Sequence, residues 1–141
     1  MDKYEFETWL DLVCDNPEKI TKVMKFGGLK TVLRTLNDEE IILNVSFILY
    51  DCEEHAAVSI FMSKDLAILT SKRILIFQDR LFGTLVKEIP LKTIKSYTYT
   101  SSSMRSLRIN VNAIGKNFSW LFLGTDADKE EAKVKYDEWL S

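Results

Sequence analysis

The chain has 141 residues, of which 46% are hydrophobic and 28% are charged, and its formal net charge is -2. A chain of this length can bury one sizeable hydrophobic core but not two, so we expect a single domain with at most an appendage. The first ten residues are acidic, unlike a basic secretory signal, and no apolar run approaches the roughly 20 residues of a membrane span, so we expect a soluble, cytoplasmic protein.

Three short helices are predicted before the first strand. In the first helix, apolar residues recur at the i, i+3, i+4 and i+7 spacing of one helix face, at Phe6, Trp9, Leu10 and Val13. Residues 16–18, Asn-Pro-Glu, are typical of a helix start, because Asn caps free N–H groups, Pro fits the first turn and Glu complements the helix dipole. The two glycines at 27–28 are predicted to end this second helix, and a third follows over residues 29–36.

Basic residues alternate with apolar ones along the second and third predicted helices. They are Lys19, Lys22, Lys25, Lys30 and Arg34. This pattern is typical of helices that pack an apolar stripe on a core, and it also fits a basic amphipathic surface for acidic lipids. The sequence leaves both interpretations open.

From residue 41 the pattern changes to short runs of β-branched and aromatic residues. Eight strands are predicted, over residues 41–50, 58–62, 66–70, 73–78, 84–89, 93–100, 105–112 and 117–123. Turns are predicted at residues 51–54, 64–65, 71–72, 79–80, 101–103 and 115–116. Eight short strands at this spacing predict a mainly β, α+β fold built on a bent antiparallel barrel or sandwich.

A closing helix is predicted after Gly124, because several acids crowd the following turn, where they complement the dipole of a helix. Ala132, Tyr136, Trp139 and Leu140 are predicted to share its buried face. We expect Trp139 to close one end of the barrel, so its truncation to alanine would cost about 3 to 5 kcal/mol.

Strands followed by one C-terminal helix resemble the pleckstrin-homology (PH) superfold, in which the helix plugs one end of a bent, seven-stranded barrel. Residues 69–77, LTSKRILIF, resemble the "LTxxRhhhF" hairpin of bacterial PH-like and GRAM-like domains, and residues 89–94 resemble the "IPhxxI" strand entry that follows it there. Residues 36–42 are similar to the "GE-I" opening of those domains, with Asp38 and Glu39 in place of the usual Gly-Glu pair. The resemblance covers about residues 36–141, so we expect a PH-like domain over 37–141 and a helical extension over 1–36 that packs on the barrel.

Positive charge is concentrated in the middle of the chain. Residues 64–116 hold 10 Lys and Arg against 3 Asp and Glu, a net charge of +7 between two acidic ends. Either alternating strands simply place these side chains in solvent, or the segment meets an anionic partner. For such a ligand the predicted contacts are Lys72, Arg73, Arg105 and Arg108, whose turn and strand positions should leave their charged groups exposed.

The resemblance also bears on the kind of anion. Relatives that hold phosphoinositides carry clustered Lys and Arg around the first hairpin loop. Here that loop is predicted at residues 51–55, which include three acids, and this argues against phosphoinositide binding there.

Residue types that catalysis requires are scarce. His55 is the only histidine, and Cys14 and Cys52 lie far apart without CxxC spacing, so the sequence predicts neither a catalytic triad nor a zinc site. We therefore expect no enzyme, no cofactor, no metal and no nucleic-acid partner. Two functions remain: an interaction or adaptor module that binds a partner protein or another copy of itself, and a peripheral binder of an anionic membrane surface or other anionic ligand.

Overall fold

The computed structural model describes residues 1–50, 64–101 and 106–141. The helices are α1 (Lys3–Val13), α2 (Pro17–Met24), α3 (Leu29–Thr35) and α4 (Asp126–Leu140). The strands are β1 (Ile42–Tyr50), β2 (Lys64–Thr70), β3 (Arg73–Arg80), β4 (Gly83–Pro90), β5 (Ile94–Thr100), β6 (Leu107–Ala113) and β7 (Lys116–Phe122), and a short 3-10 helix (Leu91–Thr93) joins β4 to β5. No helix in these ranges is long and apolar enough to cross a membrane.

The seven strands form one antiparallel sheet in the order β4-β3-β2-β1-β7-β6-β5. Side chains from both halves of the sheet share one core, so the sheet curves around it. Among the described residues the edge strands β4 and β5 do not pair with each other, and the sheet is not closed. The predicted mainly β fold with a C-terminal helix is confirmed, with two free sheet edges in place of a closed barrel.

Both faces of the sheet are buried at β1, β2 and β3. The concave face and α4 form the inner core, which includes Leu69, Ile76, Val111, Trp120 and Tyr136. The convex face and α1 to α3 form the outer core, which includes Phe6, Val23, Val32, Ile68 and Phe77. Because β2 and β3 are covered on both sides, their sequences are continuously apolar, whereas β6, with one covered face, alternates.

The N-terminal helices follow the predicted boundaries closely. The Asn16 side chain accepts a hydrogen bond from the Glu18 N–H at 3.0 Å and caps α2, which confirms the predicted helix start. However, α2 ends at Met24, three residues before the predicted stop at Gly27. The apolar stripes of these helices pack in the outer core through residues such as Val23. This agrees with the first interpretation of the alternating basic and apolar residues, in which the apolar stripe packs on a core.

Two predicted turns are wrong. Residues 64–65 belong to β2, where Asp65 pairs with Ile48, and residues 79–80 belong to β3, where Arg80 pairs with Gly83. The charged residues that suggested turns instead neutralise each other, since Arg80 Nη1 lies 2.8 Å from Asp65 Oδ1. Cys52, His55, Arg105, the strand at 58–62 and the acidic turn at 51–54 lie outside the described residues.

The last helix is capped as the acidic first turn suggested. Thr125 and Asp128 form a capping box, in which the N–H of each donates to the side chain of the other. Tyr136 is fully buried, but Trp139 is 41% exposed, so its predicted place in the core is wrong. The row Ala132, Tyr136, Leu140 packs on the inner core, and Trp139 falls beside that row.

Candidate functional site

The LTSKR residues form a tight turn closed by a buried acid. The Thr70 hydroxyl accepts hydrogen bonds from the N–H groups of Lys72 and Arg73, both at 3.1 Å, and donates to Glu40 Oε2 at 2.7 Å. Arg73 Nε donates to the same carboxylate oxygen at 3.0 Å, and its Nη2 donates to the Thr35 carbonyl at 2.9 Å. This network joins the end of α3 to the β2–β3 hairpin.

The Glu40 carboxylate and the Arg73 guanidinium keep each other charged. Burial disfavours the charged form of Glu40, but the hydrogen bonds from Arg73 and Thr70 outweigh that effect and hold its pKa below the ordinary value of 4.5. The hydrogen bond to Glu40 in turn raises the pKa of the Arg73 guanidinium. Arg73 Nη1 also lies 3.5 Å from Glu88 Oε2. The guanidinium is therefore engaged inside the protein, and its predicted role as a ligand contact stays a prediction.

Of the other predicted contacts, Lys72 lies in the same β2–β3 turn as Arg73, Arg108 lies on a different surface, and Arg105 is outside the described residues. Lys72 is exposed in the β2–β3 turn, where its Nζ lies 3.7 Å from a carboxylate oxygen of Glu39. Arg108 lies on the convex face of β6 and donates to the Ser119 hydroxyl at 2.9 Å. Three strands, β2, β1 and β7, separate β3 from β6 in the sheet, so Lys72 and Arg108 belong to different surfaces.

A different set of lysines does come together at one end of the sheet. Leu91 N donates to the Lys72 carbonyl at 3.0 Å, and Ala113 pairs with both Ile94 and Lys116, so three connections meet there. They present four exposed lysines, which we call the basic end: Lys72, Lys92, Lys95 and Lys116. A shallow depression of about 670 Å³ lies between Lys72, Lys92 and the Glu40–Arg73 pair. The positive charge of the middle segment is partly focused on this surface.

The opposite end of β3 carries exposed apolar side chains. Leu81 and Phe82 form the tip of the β3–β4 hairpin and are 90% and 98% exposed, and Leu85 and Val86 follow on the edge strand β4. We call these four residues the apolar hairpin. Gly83, with a φ of 136°, completes the tight turn at the tip, a backbone conformation that residues with a Cβ rarely adopt.

Contacts at its base hold the apolar hairpin in place. Arg80 pairs with Asp65 below the tip. On the convex side Gly28 packs against the hairpin so closely that an added Cβ would lie 2.8 Å from the Thr84 hydroxyl oxygen. The tip is therefore presented by a braced hairpin. Leu81 and Phe82 fall between the predicted strands at 73–78 and 84–89, but the sequence did not reveal this surface, because only the tertiary fold decides whether the apolar side chains of a connection are covered or left in water.

Reactive side chains are sparse in the described ranges. Burial raises the pKa of the Cys14 thiol, which therefore stays protonated in the outer core. Tyr97 and Tyr99 both donate to Asp137 Oδ1, at 2.9 and 3.0 Å, and fasten α4 to β5. In residues 1–50, 64–101 and 106–141, no three His, Cys, Asp or Glu side chains are close enough to hold a metal ion.

Solved structures resemble this fold. A pleckstrin homology domain from Shewanella amazonensis SB2B matches 81% of the chain over 96% of its own length, with 18% identity and a TM-score of 0.51. The C-terminal domain of an unknown Leishmania infantum protein matches 89% of the chain over its full length, with 12% identity and a TM-score of 0.51. The PDZ-RhoGEF DH/PH domains, solved with GTP-γ-S-activated RhoA, match 95% of the chain over 36% of their own, with 12% identity and a TM-score of 0.55.

No protein-family model matches the sequence, and no curated protein does. The structural similarities establish a PH-like fold, as the LTSKR and IPL motifs predicted. At these identities they show the fold alone. The likeness to GRAM-like domains in particular stays a prediction.

Proposed function

We propose that this PH-like chain is a non-catalytic interaction module that binds another protein through the apolar hairpin. The observation that carries the proposal is the exposure of Leu81 and Phe82, at 90% and 98%. Burying such a side chain in a partner is worth about 1.5 to 3 kcal/mol. Phenylalanine is also among the residues enriched in protein interfaces. Two adjacent large apolar side chains on a braced tip suit insertion into a partner's pocket.

The edge of β4 adds a second means of contact. β4 pairs only with β3 among the described residues, so its outer backbone N–H and C=O groups are available to an added strand. Peptide segments commonly bind by strand addition, where backbone hydrogen bonds give affinity and side-chain pockets give specificity. A partner that pairs with β4 would also cover Leu85 or Val86 and reach Phe82.

An anionic membrane is the second candidate, and the basic end favours it with four exposed lysines. Peripheral membrane proteins bring basic and apolar side chains to the same surface, so that lipid headgroups and the acyl boundary are contacted together. Here Lys72 and Leu81 flank the eight-residue strand β3 at its opposite ends, about 30 Å apart at roughly 3.3 Å per residue. This separation favours the protein partner.

The proposal is tested by comparing Phe82→Ser with a matched control, Leu12→Ser. Leu12 lies on α1 and is 72% exposed, so its change removes a similar apolar area from another surface. Proteins captured from the native host by each immobilised variant are quantified, and the candidates are then purified and titrated. We expect a partner whose affinity falls about tenfold or more with Phe82→Ser and is unchanged with Leu12→Ser. Partners that bind both variants equally would contradict the proposal.

The membrane candidate is tested by flotation with phosphatidylserine vesicles at low and high salt. We expect no flotation of the wild-type chain. Flotation that salt abolishes, and that is lost when Lys92 and Lys95 are changed to Glu, would establish the second candidate instead. Reversal of Arg108 to Glu serves as the control, because Arg108 lies on a different surface.

A further inference from the structure

A cavity of about 590 Å³ lies between α2 and α4, on the side of β1. Its volume falls within the range of about 300 to 1,000 Å³ that is usual for small-molecule sites. No residue of the basic end or of the apolar hairpin lines it. Three lysines line it, Lys19 and Lys22 on α2 and Lys25 at the C-cap of that helix, together with the acids Glu18, Asp65 and Asp128. We call it the α2–α4 cavity.

Lys19 is the unusual residue in this lining. It is only 7% exposed, because it lies on the buried face of α2 next to Val23. Its ammonium makes no hydrogen bond or ion pair with any residue in the described ranges, although it lines the cavity. The stem of Lys19 is buried, whereas its ammonium opens into the space of the cavity. An anion in the cavity would supply the missing partner.

The carboxylates near Lys19 do not take that place. Asp65 is paired with Arg80 at 2.8 Å, and Asp128 accepts the Thr125 N–H at 3.0 Å as part of the helix cap. Glu131 is close enough for the charge of Lys19 to influence its pKa, but the two do not form an ion pair. Glu18 is exposed at the first turn of α2.

The remaining walls of the cavity are largely apolar. Phe26, Phe47, Leu49 and Leu123 contribute to them. Lys22 on α2 and Lys25 at its C-cap are exposed, and they favour the approach of an anion from solvent. A site with one largely buried lysine, whose ammonium opens into the cavity, and several apolar walls suits a singly charged head group attached to a hydrocarbon chain. A phosphate dianion, in contrast, would need a second buried positive charge.

We propose that the α2–α4 cavity binds an amphiphilic carboxylate of the fatty-acid type. The carboxylate pairs with the Lys19 ammonium, and the hydrocarbon chain lies against Phe47 and Leu123. This site is separate from the proposed protein-binding hairpin, and either can exist without the other.

The ligand class is tested by calorimetric titration of the whole chain with three probes at pH 7.5. Decanoate carries both the head group and the chain, acetate only the head group, and 1-decanol only the chain. We expect decanoate to bind about tenfold or more tightly than either of the others, because a charged hydrogen bond and apolar burial both contribute. Equal binding of decanol and decanoate, or no binding of decanoate, would overturn the proposal.

The role of Lys19 is tested with Lys19→Met, which keeps the apolar stem and removes the charge. The matched control is Lys30→Met, an exposed lysine of α3 outside the cavity. We expect Lys19→Met to weaken decanoate binding about tenfold or more and to leave decanol binding unchanged, while Lys30→Met changes neither. Unchanged decanoate binding in Lys19→Met would refute the assignment.

A measurement on the wild-type chain keeps the proposal testable even if Lys19→Met does not fold. In a ¹H–¹⁵N correlation spectrum titrated with decanoate, the backbone amides of Lys19, Gly124 and Thr125 should shift together, because all three residues line the cavity. Shifts confined to the apolar hairpin would place the probe elsewhere and overturn the proposal.

Discussion

Tyr136 offers the sharpest test of the inner core, because its ring and its hydroxyl act in opposite directions. The ring is fully buried, with centroids 5.3 Å from Phe122 and 6.3 Å from Trp120 in edge-to-face geometry. Tyr136→Ala should therefore cost about 3 to 5 kcal/mol of the free energy of unfolding. The hydroxyl, however, has no hydrogen-bond partner in the part of the chain that the structure describes, and burial raises its pKa above the ordinary value of 10.

Tyr136→Phe removes only this unsatisfied hydroxyl, so we expect the variant to be as stable as the wild type or more stable by about 1 kcal/mol. Trp139→Ala serves as the surface control and should cost less than about 1 kcal/mol, because Trp139 is 41% exposed. Urea unfolding at neutral pH measures all three variants. A loss of more than about 1 kcal/mol in Tyr136→Phe would show that the hydroxyl has a stabilising partner and would refute the reasoning.

Three further predictions concern the outer core and the buried ion pair. Glu40→Gln should lower the free energy of unfolding by about 3 kcal/mol at pH 7. Because the pKa of Glu40 is lowered in the folded state, the stabilisation by its carboxylate is present above pH 4.5 and is lost as the pH falls further. Below pH 4.5, the stability of the variant measured by unfolding curves should therefore depend less on pH than that of the wild type. In a Cys52→Ala background, Cys14 should react with a thiol reagent only after unfolding, since it is buried and its pKa is raised. We also propose that residues 37–141 fold alone. The fragment should keep a β-rich circular dichroism spectrum, melt at a lower temperature than the whole chain and bind a hydrophobic dye through the convex face that α1 to α3 no longer cover. Absence of cooperative melting would show that α1 to α3 are part of the folding unit.

Local chemistry in the sequence was enough to place most elements. The predicted strand at 84–89 is observed at Gly83–Pro90, and that at 117–123 at Lys116–Phe122, because turn residues mark their ends directly. The predicted turn at 64–65 is wrong because it was inferred from two adjacent charged residues, and charged residues also occur inside strands. Asp65 is charged yet lies inside a strand, where Arg80 neutralises it from 15 residues away. Such pairing is decided by strand register, which no local pattern contains.

The candidate surfaces were harder to predict for the same reason. Glu40 and Arg73 are 33 residues apart, and the resemblance drew attention to Asp38 and Glu39 rather than to the acid that is buried. The sequence shows the net charge of +7 over residues 64–116, but it does not show which of these cations pair with acids and which remain exposed. Arg73 is engaged, whereas Lys92 reaches solvent at the basic end.

The N-terminal helices connect these surfaces physically. β2 and β3 are apolar on their convex face, so without a cover they would expose residues such as Leu75 and Phe77 to water. The same helices supply Lys19 to the α2–α4 cavity and place Gly28 against Thr84 at the base of the apolar hairpin. A rearrangement of α2 and α3 would therefore change the shape of the cavity and loosen the brace of the hairpin together. The cavity is lined from α2, whereas the contact with Thr84 comes from Gly28 at the start of α3, so the two regions are coupled only as far as α2 and α3 move as one unit.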